Sequence, residues 1–269
     1  MIAVDTHAHV FERGLKLAEK RRYTPDYDAP LDAYLYNLDR SGISHGVLVQ
    51  PSFLGTDNNY LLKALDKFPD RLRGIAVVEP GTSKAELIDL ASNGVVGIRL
   101  NLPGTPLPDL NCDLWTKLLH HISGLGWQVE VHLEACDLSA IVGVLLDTDL
   151  NVVIDHFGRP DKRLGIDDPG FRYLLSVAKT RRVWVKLSGA YRIGNGCGAG
   201  ETASSSLIPS LRESFGLDRL LWGSDWPHTQ FESATDYSTA WAQLETWLPD
   251  PEERKIVLEE APMQLFKFS

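Results

Sequence analysis

Short apolar runs recur along the chain, each ending in polar or glycine-bearing residues. In order they are IAVDTHAHV (2–10), HGVLVQPS (45–52), LRGIAVVEP (72–80), VVGIRLNL (95–102), WQVEVHLE (127–134), NVVIDHFG (151–158), VWVKLSGAY (183–191) and LLWGSDWPH (220–228). Their Val, Ile, Leu and Trp content is that of strands buried on both faces in a parallel sheet. Between them lie amphipathic stretches: DAYLYNLDRSG, NNYLLKALDKFP, AELIDLASNG, DLWTKLLHHISGLG, LSAIVGVLLDT, FRYLLSVAKT and SSLIPSLRESFG. Apolar residues recur there at three- and four-residue spacing, and several stretches finish at Gly, a helix-stop signal.

Eight strand candidates alternating with helices, over a length near the ~250 residues typical of the class, predict an α/β fold of the (β/α)8 TIM-barrel type. The expected organisation is one domain over residues 1–269. A doubly wound open sheet is the alternative, but no Gly-rich fingerprint follows the first strand, which argues against its dinucleotide-binding form. Two stretches read as long loops. Phe11–Pro30 is basic and aromatic in its middle, and part of it could form a short helix; Gly194–Ser206 is small and flexible in composition. Both follow the C-terminal end of a strand, the face where barrels keep their chemistry.

Composition narrows the function classes. The chain has 269 residues, 43% of them hydrophobic, enough for a substantial core. A net charge of −9 disfavours non-specific binding to nucleic acid or a membrane surface, while leaving room for a local basic pocket. Cys112, Cys136 and Cys197 are few, odd in number and widely spaced, as for reduced thiols in a cytoplasmic protein. The opening MIAVDTHAHVFERG reaches Asp5 before an apolar stretch of signal-peptide length, and no run is long enough to cross a bilayer. The expectation is a soluble cytoplasmic protein, its oligomeric state open.

The polar residues that end the strands carry the chemistry. Residues i and i+2 of a strand share a face, so His7 and His9 are expected to project together with Asp5 beneath them. His132 closes strand five, His156 strand six and Asp225 strand eight, while Arg99 and Asn101 share a face at the end of strand four. A lone histidine is more often a satisfied buried residue than a ligand, and His45, His120 and His121 are assigned nothing. The convergence of five metal-binding or proton-carrying groups at one rim is what points to a site. Asp5 is expected to orient a histidine rather than to act itself.

With these residues in place, the sequence resembles the amidohydrolase superfamily and, within it, the lactonase group that acts on 2-pyrone-4,6-dicarboxylate. The matching stretches are DTHAHVF, RRYTPDYDAP, VLVQPSFLGTDN, GVVGIRLNL, GWQVEVHLEACDL, VVIDHFGRPD, VWVKLSGAYR, LLWGSDWPH and a terminal APMQLF. DHFGRPD and WGSDWPH are the most specific; DTHAH marks only the superfamily. The resemblance implies a barrel hydrolase acting on a cyclic ester with an acidic substituent. It implies Asp225 as the base that handles water, with His7, His9 and His156 around the reacting carbonyl.

Metal-dependent members of the superfamily use a strand-one His pair, histidines on strands five and six, and a strand-eight Asp. The pyrone-dicarboxylate lactonases are understood to work without a metal and lack the strand-five histidine, which His132 supplies here. The set His7, His9, His132, His156 and Asp225 is therefore complete and of donor types that suit zinc. A bound zinc is the expectation, with metal-free polarisation of the carbonyl by the histidines as the alternative. By resemblance, Arg99, Arg159, Arg192 and Tyr23 hold the acidic groups of a small anionic lactone, as guanidinium forks can. His132 belongs to both sets. A structural salt bridge is the alternative for Arg159, as solvated loop charge is for Arg21 and Arg22.

The resemblance also marks a departure. The group carries a further basic residue soon after its strand-four arginine, where this chain continues LPGTP. One carboxylate clamp is then missing, which widens the substrate range to a muconolactone, a sulfonated muconolactone or a sugar-acid lactone. A metal-dependent decarboxylase of an unsaturated or aromatic acid is the competing enzyme reading, separated by release of carbon dioxide. A non-catalytic ligand-binding barrel is the third, favoured only if acidic lactones bind and are never opened.

Overall fold

Each apolar run contains one strand: β1 (Val4–Ala8), β2 (His45–Val49), β3 (Leu72–Ala76), β4 (Val95–Asn101), β5 (Gln128–His132), β6 (Asn151–Ile154), β7 (Val183–Leu187) and β8 (Leu220–Trp222). The structure is a computed structural model and describes residues 2–193 and 199–268. Neighbouring strands pair in parallel in chain order, from β1 to β8. The two edges meet through a parallel bridge between Ala8 and Trp226. There the His9 N–H donates to the Trp226 carbonyl and the Asp225 N–H to the His7 carbonyl, both at 2.8 Å. The sheet is thus drawn into a (β/α)8 barrel, as the alternation predicts.

The crossovers carry α1 (Leu31–Arg40), α2 (Asn59–Lys67), α3 (Lys84–Ser92), α4 (Asp113–Gly124), α5 (Leu138–Leu146), α6 (Pro169–Val177) and α7 (Ala199–Phe215), and α8 (Tyr237–Trp247) follows β8. Local signals start several of them. Ser83 and Glu86 form a reciprocal capping box on α3, and Asp168 caps α6, which opens on Pro169. Inside the barrel Val4, Val47, Val49, Ile75, Val96, Val153, Trp184 and Leu221 form one apolar layer. The C-terminal helices α9 (Pro251–Lys255) and α10 (Ala261–Phe266) end the chain, and Leu265, Phe266 and Phe268 join that inner layer. Fully burying a side chain such as Phe266 contributes about 1.5–3 kcal/mol. The far mouth is the only direction left for the polar strand ends.

The strands are shorter than the apolar runs because the residues after them turn. His156–Gly158 and Ala190–Arg192 form single 3-10 turns, so His156 and Asp225 stand just beyond their strands. The stretch Phe11–Pro30 contains no helix. It is a loop pinned at its base by the Phe11–Ala29 bridge, and its aromatic residues pack with Phe53. The second expected loop is shorter than predicted: residues 194–198 lie outside the described residues, and Ala199 already belongs to α7. Among the described residues no helix is long and apolar enough to cross a membrane.

Candidate active site

The site begins with an irregularity in β1. Val4 and Asp5 pair with His45 and Gly46, but Ala8 pairs with Leu48, so three steps on β1 face two on β2. The extra residue is a bulge, and it resets the alternation that the sequence predicts. Asp5 therefore does not sit beneath the histidines. Its Oδ1 accepts from the backbone N–H groups of His7 (3.1 Å) and Ser224 (2.9 Å), and its Oδ2 from the hydroxyls of Ser224 (2.6 Å) and Tyr237 (3.2 Å). Burial pushes its pKa up to about 6. Asp5 ties β1 to the loop after β8; it does not touch an imidazole. Gly223 serves the same junction, because a Cβ there would stand 2.6 Å from the His7 Cβ.

Asp225 occupies the centre. It is fully buried and has φ of 59°, a left-handed conformation uncommon for a residue with a side chain. Its Oδ2 accepts from the Tyr191 hydroxyl and from Arg192 Nε, each at 2.6 Å. Its Oδ1 has no hydrogen-bond partner among the described residues and lies 3.8 Å from His7 Nε2 and 3.7 Å from His9 Nε2. Burial alone would raise this carboxyl; Arg192 holds it well below the usual carboxylate range. Gly189 makes the approach possible, since a Cβ at that left-handed position would meet Asp225 Oδ2 at 2.7 Å and His156 Nδ1 at 2.8 Å.

The imidazoles around it are neutral at pH 7. Burial lowers His9 to about 4 and His156 to about 3, and takes His7 and His132 well below the ordinary histidine value. Partners then fix the tautomers. His9 Nδ1 lies 2.6 Å from the Val49 carbonyl, which only accepts, so the proton is on Nδ1 and Nε2 offers a lone pair. His132 Nδ1 faces Asn101 Oδ1 at 3.0 Å, while its Nε2 accepts from Arg159 Nη1 at 3.0 Å. His156 Nδ1 meets the Ser188 hydroxyl at 2.9 Å.

Beneath the histidines lies a layer of buried charge. Lys186 Nζ is 2.7 Å from Glu130 Oε1, 3.6 Å from Asp155 Oδ1 and 3.0 Å from His7 Nδ1. Asp155 Oδ2 accepts from Arg99 Nε (2.9 Å) and Nη2 (2.8 Å), and its Oδ1 is 3.3 Å from His7 Nδ1. His7 Nδ1 thus stands between a donor and an acceptor that favour opposite tautomers.

Above, the mouth is a cavity of about 170 Å³ that suits a small ring rather than a polymer. Its lining includes Arg22, Arg99, Arg159 and Arg192 with His9, His132 and His156, and no carboxylate. Tyr23 also lines it, its hydroxyl donating to Glu232 Oε1 at 2.7 Å.

Among the described residues two groups could hold a divalent ion: His7, His9 and Asp225, and His7, Asp155 and His156, the ligand atoms of each within 4.8 Å of one another. The unpartnered His7 Nε2 and Asp225 Oδ1 and the bare lone pair on His9 Nε2 fit such an ion. His132 is in neither group, because Arg159 and Asn101 occupy both its nitrogens. Of the predicted five-ligand set, His7, His9 and Asp225 share one group, and His156 falls only in the other, with His7 and Asp155. Arg99, Arg159, Arg192 and Tyr23 all reach the cavity, and Arg159 also makes its expected salt bridge, a fork on Glu134 at 3.1 and 2.7 Å.

Sequence reasoning missed Tyr191, Ser188, Arg22 and the layer of Glu130, Asp155 and Lys186. For that layer a signal existed. A charged residue inside a wholly apolar strand, as in QVEVH or VWVKL, has to meet a partner of opposite charge.

The chain matches the family model described as Amidohydrolase over residues 4–268. It is 33% identical over 272 residues to a 4-sulfomuconolactone hydrolase of Rhizobium radiobacter, covering 98% of this chain and 89% of the relative. It is 35% identical over 237 residues to a 2-pyrone-4,6-dicarboxylate hydrolase of Comamonas testosteroni, covering 84% and 77%. Among solved structures, a probable 2-pyrone-4,6-dicarboxylic acid hydrolase from Acinetobacter baumannii, with citric acid bound, superposes with a TM-score of 0.96 at 42% identity, covering 100% of both chains.

Proposed function

Because the chain belongs to the amidohydrolase family, we propose that it opens the ester bond of a small acidic lactone with Asp225 as general base. The observation that carries this reading is the division of labour between the two oxygens of Asp225. One is fixed by Arg192 and Tyr191, and the other is bare beneath an arginine-lined cavity. The names of the similar hydrolases, whose substrates are lactones bearing acidic groups, support the same substrate class.

In this reading Asp225 Oδ1 takes a proton from water as the oxygen adds to the lactone carbonyl. His9 and His132 have their N–H groups turned to Val49 and Asn101, so His7 or His156 donates the imidazole N–H to the oxyanion that forms. The ring C–O bond then breaks, and the leaving oxygen recovers the proton from Asp225. Arg192 links binding to basicity. While Asp225 is the anion it holds, the carboxylate is a weak base; an anionic group of the substrate shared on the same guanidinium loosens that hold and raises proton affinity. His7, His9 and Asp225 would hold a divalent ion, zinc by its preference for imidazole and carboxylate donors. When bound, such an ion polarises a carbonyl oxygen and acidifies water. The exposed free thiols of Cys112 and Cys136 support a location in the reducing cytoplasm.

Proton release on mixing with acidic lactones, headed by 2-pyrone-4,6-dicarboxylate, tests the activity, and a chelator arm tests the metal. Release of carbon dioxide instead of ring opening would move the chain to the decarboxylase reading. Asp225→Asn should lower kcat by about 10²–10⁴-fold while substrate still binds. Turnover retained in that variant removes Asp225 from its role.

A further inference from the structure

We propose that Lys186 is a positioning residue that fixes the proton of His7 on Nε2, so that the two histidines of β1 carry opposite tautomers, His7 presenting an N–H to the site and His9 a lone pair. Three distances carry the argument. His7 Nδ1 lies 3.0 Å from Lys186 Nζ and 3.3 Å from Asp155 Oδ1, and Nζ is itself 2.7 Å from Glu130 Oε1. An ammonium has three N–H groups and no lone pair, so at 3.0 Å it donates to Nδ1 and leaves no room for a proton there. Asp155 pulls the other way, but the contact lacks hydrogen-bond geometry. Its Oδ1 has no hydrogen-bond partner among the described residues, while its Oδ2 is held by Arg99.

A neutral imidazole then has one place left for its proton, and which nitrogen bears it is set by the bond the other makes. His7 Nε2 is buried, has no hydrogen-bond partner among the described residues and faces Asp225 Oδ1 at 3.8 Å. His9 is the converse. Its Nδ1 gives its proton to the Val49 carbonyl, and its Nε2 turns a lone pair to the same carboxylate oxygen at 3.7 Å. A donor and an acceptor therefore converge on Asp225 Oδ1, although both come from the same HAH segment. On the lactone reading, on which this step rests, His7 Nε2–H is the imidazole donor to the oxyanion, and His9 Nε2 accepts the second hydrogen of the attacking water. Lys186 also works against an ion at His7, His9 and Asp225. His7 Nε2 offers a lone pair only once its proton has moved to Nδ1, which breaks the bond to Lys186 and turns that N–H to Asp155.

Long-range proton–nitrogen correlation on chelator-treated protein, labelled with 15N in its histidine rings, reads the tautomers directly, and His7→Gln marks the signals of that ring. The expected spectrum has His7 protonated on Nε2 and His9 on Nδ1. A His7 proton on Nδ1, alone or as well, overturns the proposal. In Lys186→Met, Asp155 remains to draw the proton to Nδ1, and zinc affinity, measured by competition with a chromophoric chelator, should rise about 10- to 100-fold. With chelator present, kcat for 2-pyrone-4,6-dicarboxylate should fall about 10²–10³-fold and KM change less than about threefold. Lys186→Met with Glu130→Leu, which removes the orphaned carboxylate, takes its place if the single variant does not fold. An unchanged His7 tautomer or zinc affinity in the variant that folds overturns the role of Lys186. If wild type carries the Nε2 proton and opens no lactone, the tautomer stands and the lactone reading falls. If it opens lactones with the proton on Nδ1, the reverse holds.

Discussion

The barrel carries charge in two places, and the two are built on opposite rules. In the floor, Arg99 and Lys186 face Asp155 and Glu130, two cations against two carboxylates, all buried and all made of strand residues or of the residue that follows one. At the mouth, among the described residues, Arg22, Arg159 and Arg192 face only Glu134 and Asp225, and Arg22 is supplied by a loop. A charge-balanced buried network compensates itself and stands against His7 above it. An unbalanced cluster that opens on the cavity tolerates its own repulsion only weakly and gains from an incoming anion. The floor is structure, and the mouth, on the proposed function, is recognition.

The largest expected effect breaks the floor. Lys186→Met leaves Glu130 and Asp155 without their shared cation, and removing one partner of a buried pair costs about 3–5 kcal/mol. Urea denaturation measures it. Adding Glu130→Leu should recover part of the loss, because the orphaned carboxylate goes too, while Arg22→Met at the mouth should stay within about 0.5 kcal/mol of wild type. A Lys186→Met loss below about 1 kcal/mol would mean that the layer is not held by charge compensation.

Arg192 joins the two regions and should show an intermediate effect. Arg192→Ala removes both the hold on Asp225 and one anchor for the substrate, and kcat/KM for an acidic lactone should fall about 10²–10³-fold, less for a neutral one. With the guanidinium gone, burial is left to push the Asp225 carboxyl up. Since the base must be ionised, the acid limb of the kcat/KM profile should move to higher pH. A limb that stays in place would show that Arg192 does not tune Asp225.

The fold was legible because eight apolar runs buried on both faces leave few other architectures, and the polar residues ending them could be read as a rim. The structure draws His7, His9 and Asp225 together at that rim, with His156 beside His7. What was hidden depends on pairings between distant positions. Lys186 meets His7 across 179 residues, and Glu130 meets Lys186 across 56, so neither strand announces its partner locally. Asp5 was misplaced because a bulge, invisible in a sequence of regular alternation, adds one residue to β1. His132 looked like a ligand by residue type; only the approach of Arg159 and Asn101 reveals that its nitrogens are engaged.

The smallest effect sharpens the other side, since a mouth built from loops should loosen before the floor does. Glu232 Oε1 gathers the Tyr23 and Tyr27 hydroxyls, each at 2.7 Å, and the Gln230 N–H at 2.9 Å, so one carboxylate fastens the loop that carries Arg22 to the loop after β8. Burial would raise this carboxyl, but the tyrosine hydroxyl bonds, with Tyr27 first, hold it below the ordinary glutamate value. A group depressed in the folded state contributes stability above its unfolded pKa and loses it as pH falls through the folded one. Loosening should therefore begin only below about pH 4.5, where KM for an acidic lactone should rise by a few-fold before far-UV circular dichroism changes. Replacing Glu232 by Ala should impose that higher KM already at pH 7. Loss of the barrel signal at the same pH as the rise in KM would instead make mouth and floor one cooperative unit, and the contrast between them would lie in charge alone.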